Sequence, residues 1–189
     1  HSLASDIIIE DGAQHWLSNN CARYGHATAT SFDPTKNLPS SGNGGAIITN
    51  DDSFNTWARE YQHHGKPSHM SIGTNSRMSE LDCSHLLVRT KYLDQWQERR
   101  KEIVRMYNTA FDGTNVESLI HATVVNDHAC HKYVIVVDDR DELQTNLTDD
   151  GVDCRIHYDK PLHEVNCFRN RGKLDMLSKA SILSRKVLS

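Results

Sequence analysis

Apolar residues fall in short runs over the first fifty positions and recur at helical intervals through the middle of the chain. "DIIIED", residues 6–11, is a continuous apolar run bounded by acids. That is the pattern of a strand buried on both faces of a parallel sheet. A domain would not begin on such a strand, so more of the fold is expected ahead of it. "ATATSF" (27–32) and "GAIITN" (45–50) read as two further strands, rich in Thr and Ile. Asn50 to Asp52 supply capping side chains for a helix through "SFNTWAREYQHH", which Gly65 stops. From Met78 through Leu81, His85, Val88 and Tyr92 on to Ala110, mostly apolar residues recur at spacings of three and four. This stripe outruns a typical globular helix, so it either bends or links two packing units.

Beyond "FDGTN" the texture changes. "HKYVIVV" reads as a strand, "DRDELQTNLTDDG" as a capped helix ending at Gly151, and "VDCRIHY" as a second strand. This β-α-β order predicts a small second domain. The tail "KLDMLSKASILSRKVLS" reads as an amphipathic helix. The fold class is α/β.

Charge excludes some functions. With 21 basic against 25 acidic residues, the net charge of -4 carries no nucleic-acid footprint. The densest basic run, Arg99-Arg100-Lys101, is flanked by Glu98 and Glu102 at helical spacing, as on a solvated helix face. No apolar stretch is long enough to span a membrane, and no signal-peptide pattern opens the chain. The five cysteines are scattered without a C-x-x-C pair, which suits a reduced cytoplasmic compartment. His128, Cys130 and His131 could be read as a metal cluster, but a polar strand entrance is the favoured reading and no metal is expected.

One segment asks for chemistry. Lys36 lies in "SFDPTKNLPSSGNGG", which is too rigid for a helix and too broken for a strand. A solvated lysine needs no such setting. Asp11 and Gln14 follow the first strand at its C-terminal end, where α/β sheets place ligand groups. Ser31 ends the next strand, five residues before Lys36. A carboxylate at a strand end, a nearby lysine and a hydroxyl are what a pyridoxal phosphate site requires. The lysine forms a Schiff base with the aldehyde, and the carboxylate keeps the ring nitrogen protonated. Asp11 and Lys36 are expected in one cleft at the C-terminal edge of a mostly parallel sheet.

"IIIEDGAQ", "SFDPTKNLPSSGNGGAIITND", "HHG", "GTNSRMSELD", "KYLDQWQERR", "HKYVI" and "IHYDKPLHE" run in an order that resembles the DegT/StrS group of nucleotide-sugar aminotransferases. The resemblance covers nearly the whole chain. It implies the aspartate-aminotransferase-like fold of pyridoxal-phosphate transferases. Residues 1–77 would form the C-terminal part of the large cofactor-binding domain, 78–110 a connecting helix and 111–189 a small α+β domain. It implies Lys36 as the Schiff-base lysine, Asp11 as partner of the ring nitrogen, Gln14 as a contact to the ring and Ser31 as a phosphate ligand. Asn75 would reach the phosphate of a neighbouring subunit's cofactor in a homodimer. His157, Tyr158 and His163 would line the mouth of the site and touch the sugar. The implied reaction moves an amino group, from glutamate, to a keto-sugar nucleotide, in cell-surface polysaccharide (lipopolysaccharide) or secondary-metabolite sugar biosynthesis.

Asp33 stands where family members usually carry an aromatic residue, Asn43 where many are acidic, and Pro39 at a more flexible position. "HWLSNNCARYG", after Gln14, also departs from the usual small-residue segment. Members carry well over a hundred residues ahead of this point, so the chain reads as an N-terminally truncated fragment. A sugar dehydratase, in which the lysine is replaced, and a non-catalytic module acting in protein contact are the alternatives. Lys36 counts against the first, and the retained set of Asp11, Gln14, Ser31, Lys36 and Asn75 against the second.

Overall fold

The computed structural model describes residues 7–168 and 178–189. It divides into two compact units, residues 1–101 with 126–131 and residues 102–125 with 132–189. The first unit carries a three-stranded sheet of β1 (Ile9–Asp11), β2 (Ala27–Ser31) and β3 (Gly45–Ile48). β1 and β2 run parallel with Asp11 opposite Ala29, whereas β3 returns antiparallel with Gly45 opposite Ser31. The expectation of a mostly parallel sheet therefore holds for one of the two pairings. Nor is the Ile7–Ile9 run buried: Ile7 is 79% and Ile9 65% exposed, and among the described residues β1 pairs with β2 alone.

The β1–β2 connection is organised by a single carboxylate. Glu10 accepts hydrogen bonds from the backbone N–H groups of Ala22, Tyr24 and Gly25. Those donors, Gly25 first, hold its carboxyl below the ordinary glutamate range. Trp16, in the same connection, packs edge-on against Phe32 with ring centroids 5.9 Å apart.

α1 (Asp52–Tyr61) starts where the capping residues predict, since Asp51 accepts from the backbone N–H groups of Ser53 and Phe54. After it, Gly65 has φ +76°, and a Cβ there would lie 2.2 Å from the Ser71 carbonyl oxygen. No other residue fits that turn without moving backbone. The long helical pattern resolves into α2 (Glu80–Arg89), a 3-10 turn at Thr90–Tyr92, and α3 (Leu93–Phe111). At the junction the Thr90 hydroxyl donates to the Leu87 carbonyl, a local bond that competes with the helical ladder.

The second unit holds a small antiparallel sheet in the order β4 (Glu117–Ser118), β5 (Ile135–Val136) and β6 (Val187–Leu188). α4 (Arg140–Asp149) ends before Gly151, at φ +80°. The predicted β-α-β order does not hold, because "VDCRIHY" forms no strand. Its Arg155 exchanges two backbone hydrogen bonds with Ser189, and β6 takes the place beside β5. The tail helix is seen as α5 (Ser178–Ser184), and its expected start at 173–177 lies outside the described residues. The chain then turns into β6, whose Val187 and Leu188 are buried.

Arg140 ties these pieces together. It is 7% exposed, and its Nη1 donates to the carbonyls of Ser184 and Val187, each at 3.2 Å. Its ion pair with the exposed Asp141 adds little beside these. Arg140→Met should destabilise the unit by about 2–3 kcal/mol, because two carbonyls lose a charged donor. A denaturant midpoint unchanged from the parent would disprove this role.

Candidate active site

Parallel pairing sets two of the predicted groups side by side. Registered partners on parallel strands point to the same face, and so do residues two apart along one strand. Asp11, opposite Ala29, therefore shares a face with Ser31 at the C-terminal edge of the β1–β2 pair. Asp11 Oδ1 accepts from the Ala13 N–H at 3.0 Å. Between them Gly12 hydrogen-bonds Ala29, and a Cβ on it would come within 2.8 Å of Thr28 Cγ2 and 3.0 Å of the Ala29 oxygen. The backbone thus turns tightly after Asp11 only because no side chain intervenes.

The segment that carries Lys36 closes on itself directly after Ser31. The Phe32 N–H donates to the Gly44 carbonyl, and the Ser40 N–H and hydroxyl both donate to the Phe32 carbonyl. Inside this ring Asp33 Oδ1 accepts from the N–H and hydroxyl of Thr35, and the Lys36 N–H donates to the Asp33 carbonyl at 2.9 Å. Asp33, the departure from the usual aromatic, therefore builds the turn that presents Lys36. Pro39, another departure, offers its carbonyl to Arg89 at 3.4 Å. Ser41 meets His85 Nδ1 at 2.8 Å, so α2 holds the second half of the loop. The Lys36 side chain is half-buried, and Nζ has no hydrogen bond or ion pair among the described residues.

Gln14 lines a narrow crevice together with Trp16, Asn37 and His131, which sets it beside the residue that follows Lys36. Asn75 lies on the turn between α1 and α2. It forms an isolated bridge with His63, and its side-chain oxygen accepts from Arg77.

His157, Tyr158 and His163 belong to the second unit. His157 Nε2 lies 3.2 Å from Lys132 Nζ. Burial first, then the charges of Lys132 and Arg155, push the His157 pKa below its ordinary value. His157 and Tyr158 border a cavity of about 750 Å³ floored by Leu162, Val165 and Val187. His163 hydrogen-bonds Ser181 at 2.9 Å, and Ser181 in turn donates to Glu164. A base that is harder to protonate when folded confers stability at neutral pH that is lost as pH falls below the ordinary histidine value of about 6.5. The His157 ring should accordingly titrate below 6.5 in an NMR experiment, and a midpoint at or above it would contradict the stated environment.

His128, Cys130 and His131 diverge. The Cys130 N–H donates to His128 Nδ1, whereas His131 Nε2 meets the Thr35 carbonyl. Among the described residues no group of three His, Cys, Asp or Glu side chains could hold a metal ion. The residues that sequence reasoning missed are Asn37 and Gln97. They are buried amides sixty positions apart, joined by a 3.2 Å hydrogen bond. No local pattern announces such a pair.

Comparison with known proteins places the chain in a family. Residues 6–189 match the DegT/DnrJ/EryC1/StrS aminotransferase family. The pleiotropic regulatory protein of Geobacillus stearothermophilus is 34% identical, over 97% of this chain and 52% of its own length. The dTDP-3-amino-3,4,6-trideoxy-alpha-D-glucose transaminase of Streptomyces venezuelae is 32% identical, over 96% of this chain and 50% of its own. The chain spans about half the length of the curated relatives it matches. A crystal structure of a DegT DnrJ EryC1 StrS aminotransferase from Brucella abortus aligns with TM-score 0.85 and 34% identity, covering 97% of this chain and 51% of that one. The fold is that of the pyridoxal-phosphate sugar aminotransferases. The chain belongs to the DegT/DnrJ/EryC1/StrS aminotransferase family.

Proposed function

We propose that this chain is the lysine-bearing part of an aminotransferase that moves an amino group from glutamate to a keto-sugar nucleotide. The observation that carries the reading is Lys36, on a loop closed directly behind the β1–β2 edge where Asp11 and Ser31 share one face. The cofactor of the family is pyridoxal 5'-phosphate. The donor set fits it, with a half-buried primary amine, a strand-end carboxylate, a hydroxyl and an amide. When bound, the cofactor supplies an electron sink for the carbon that loses its proton.

In this reading Lys36 holds the cofactor and carries the proton between carbon positions. Asp11 meets the ring nitrogen, Gln14 the ring, and Ser31 the phosphate. Residues 1–77 are then the cofactor side of the protein, 78–110 the connecting helix and 111–189 the small domain. His157, Tyr158 and His163 touch the sugar, and Asn75 reaches the phosphate of a partner subunit's cofactor. The product would enter polysaccharide or secondary-metabolite sugars. Among the described residues no helix is long and apolar enough to cross a membrane, and all five cysteines are free. The free thiols support a reducing, cytoplasmic setting.

The test uses this chain joined to the upstream half that its relatives carry. Added cofactor should bind, and glutamate with a keto-sugar nucleotide should yield 2-oxoglutarate and an amino sugar. Cofactor binding without turnover on any keto-sugar nucleotide would defeat the reading. Light scattering should report a homodimer, and a fully active monomer would remove the role given to Asn75.

A further inference from the structure

A lysine amine on a flexible four-carbon stem is only as well placed as its own backbone. The bonds that close the Lys36 loop, Phe32 to Gly44 and Ser40 to Phe32, shape the ring, and the Asp33 bonds to Thr35 and Lys36 turn its tip. The tip is held from outside, on both sides of Lys36. Before it, the Thr35 carbonyl meets His131 Nε2 at 3.1 Å. After it, Asn37 Nδ2 donates to the Ala129 carbonyl at 2.6 Å and to Gln97 Oε1 at 3.2 Å. Gln97 Nε2 donates in turn to the carbonyls of Ala129 at 2.8 Å and His128 at 3.2 Å.

Asn37 and Gln97 are only 5% and 8% exposed, and Ala129 2%. Two amides in such a place add little net stability over a well-packed apolar pair. What they add is direction, since each donor accepts one geometry and an apolar contact accepts many. Asn37 Oδ1 has no partner among the described residues, so the Nδ2 group alone makes the bonds of this amide. We infer that Asn37 and Gln97 are positioning residues that clamp the Lys36 loop to α3 and the 128–131 segment, fixing where the amine can reach. The inference rests on Lys36 being the cofactor-bearing amine.

Asn37→Ala, Gln97→Ala, the volume-conserving Gln97→Met and the double variant would be made in the chain joined to its upstream half. Amide hydrogen exchange over residues 33–40 reads the clamp without cofactor, and should quicken while α3 stays protected. Timed borohydride trapping after addition of pyridoxal phosphate, with peptide mapping, reads the amine. Trapping on Lys36 should slow about tenfold in each single variant, since misplacement of about 1 Å can cost up to a hundredfold. The double variant should be little worse than either single one, because both break one clamp. Variants that melt like the parent and trap at its rate, or that leave exchange unchanged, would overturn the clamp. A parent protein with no adduct on Lys36 would overturn the cofactor reading itself, and the positioning role with it.

Discussion

Lys36→Ala in the chain joined to its upstream half should lower amino transfer by about a hundred- to ten-thousandfold, the range that general acid–base catalysis alone supplies. The loss should reach at least that range, because one amine has two tasks. In the proposed reading it holds the cofactor covalently and also carries the proton. Cofactor affinity should fall less, since Asp11, Gln14 and Ser31 stand on separate elements and keep their places. The loop itself should survive the substitution. Its ring of bonds runs through Phe32, Ser40 and Gly44, and the Lys36 contribution is a backbone N–H that alanine retains. Reduction with borohydride followed by peptide mapping should find the pyridoxyl group on Lys36 in the parent. An adduct on another lysine, or full turnover in the variant, would end this assignment. The same result separates the enzyme from a module that uses the fold only for protein contact.

The elements legible in the sequence are those governed by neighbours in the chain. α1 is announced by Asp51 and its two backbone donors, and the turn after it by Gly65. β2 and β3 follow from β-branched runs bounded by turn residues, and the Lys36 loop from its prolines and glycines. The parts that were not legible depend on residues far apart. β5 holds only two residues and finds its partners at Glu117–Ser118 and Val187–Leu188, so no β-α-β unit forms. The pairing of Arg155 with Ser189 likewise joins residues far apart in the chain. The break at Thr90 has neither proline nor glycine, only a hydroxyl bonding back to Leu87. Asp11, Ser31 and Lys36 were proposed from the sequence because their residue types carry the chemistry, and the register sets Asp11 and Ser31 on one face. Asn37 and Gln97 were missed because each is ordinary until the fold joins them.

Asp11→Asn should separate the two halves of the chemistry. Asp11 Oδ1 is held by the Ala13 N–H, and Oδ2 has no hydrogen bond among the described residues. One oxygen is thus oriented by the backbone, and the proposed reading gives the other to the ring nitrogen. Asparagine keeps the shape and the bond to Ala13, but it removes the negative charge that favours a protonated ring. Hydrogen bonds to charged groups contribute about 1.5–3 kcal/mol. At about 1.4 kcal/mol per decade, turnover should fall about ten- to a hundredfold. Trapping of the cofactor on Lys36 should continue at close to the parent rate, because the amine and its loop are untouched. Asp11→Ala should lose at least as much turnover and also loosen the Asp11–Ala13 turn, which the thermal midpoint would register. A different outcome would be as clear. If Asp11→Asn stops trapping on Lys36, Asp11 acts by shaping the edge of the sheet. If turnover is unchanged, the ring nitrogen has another partner.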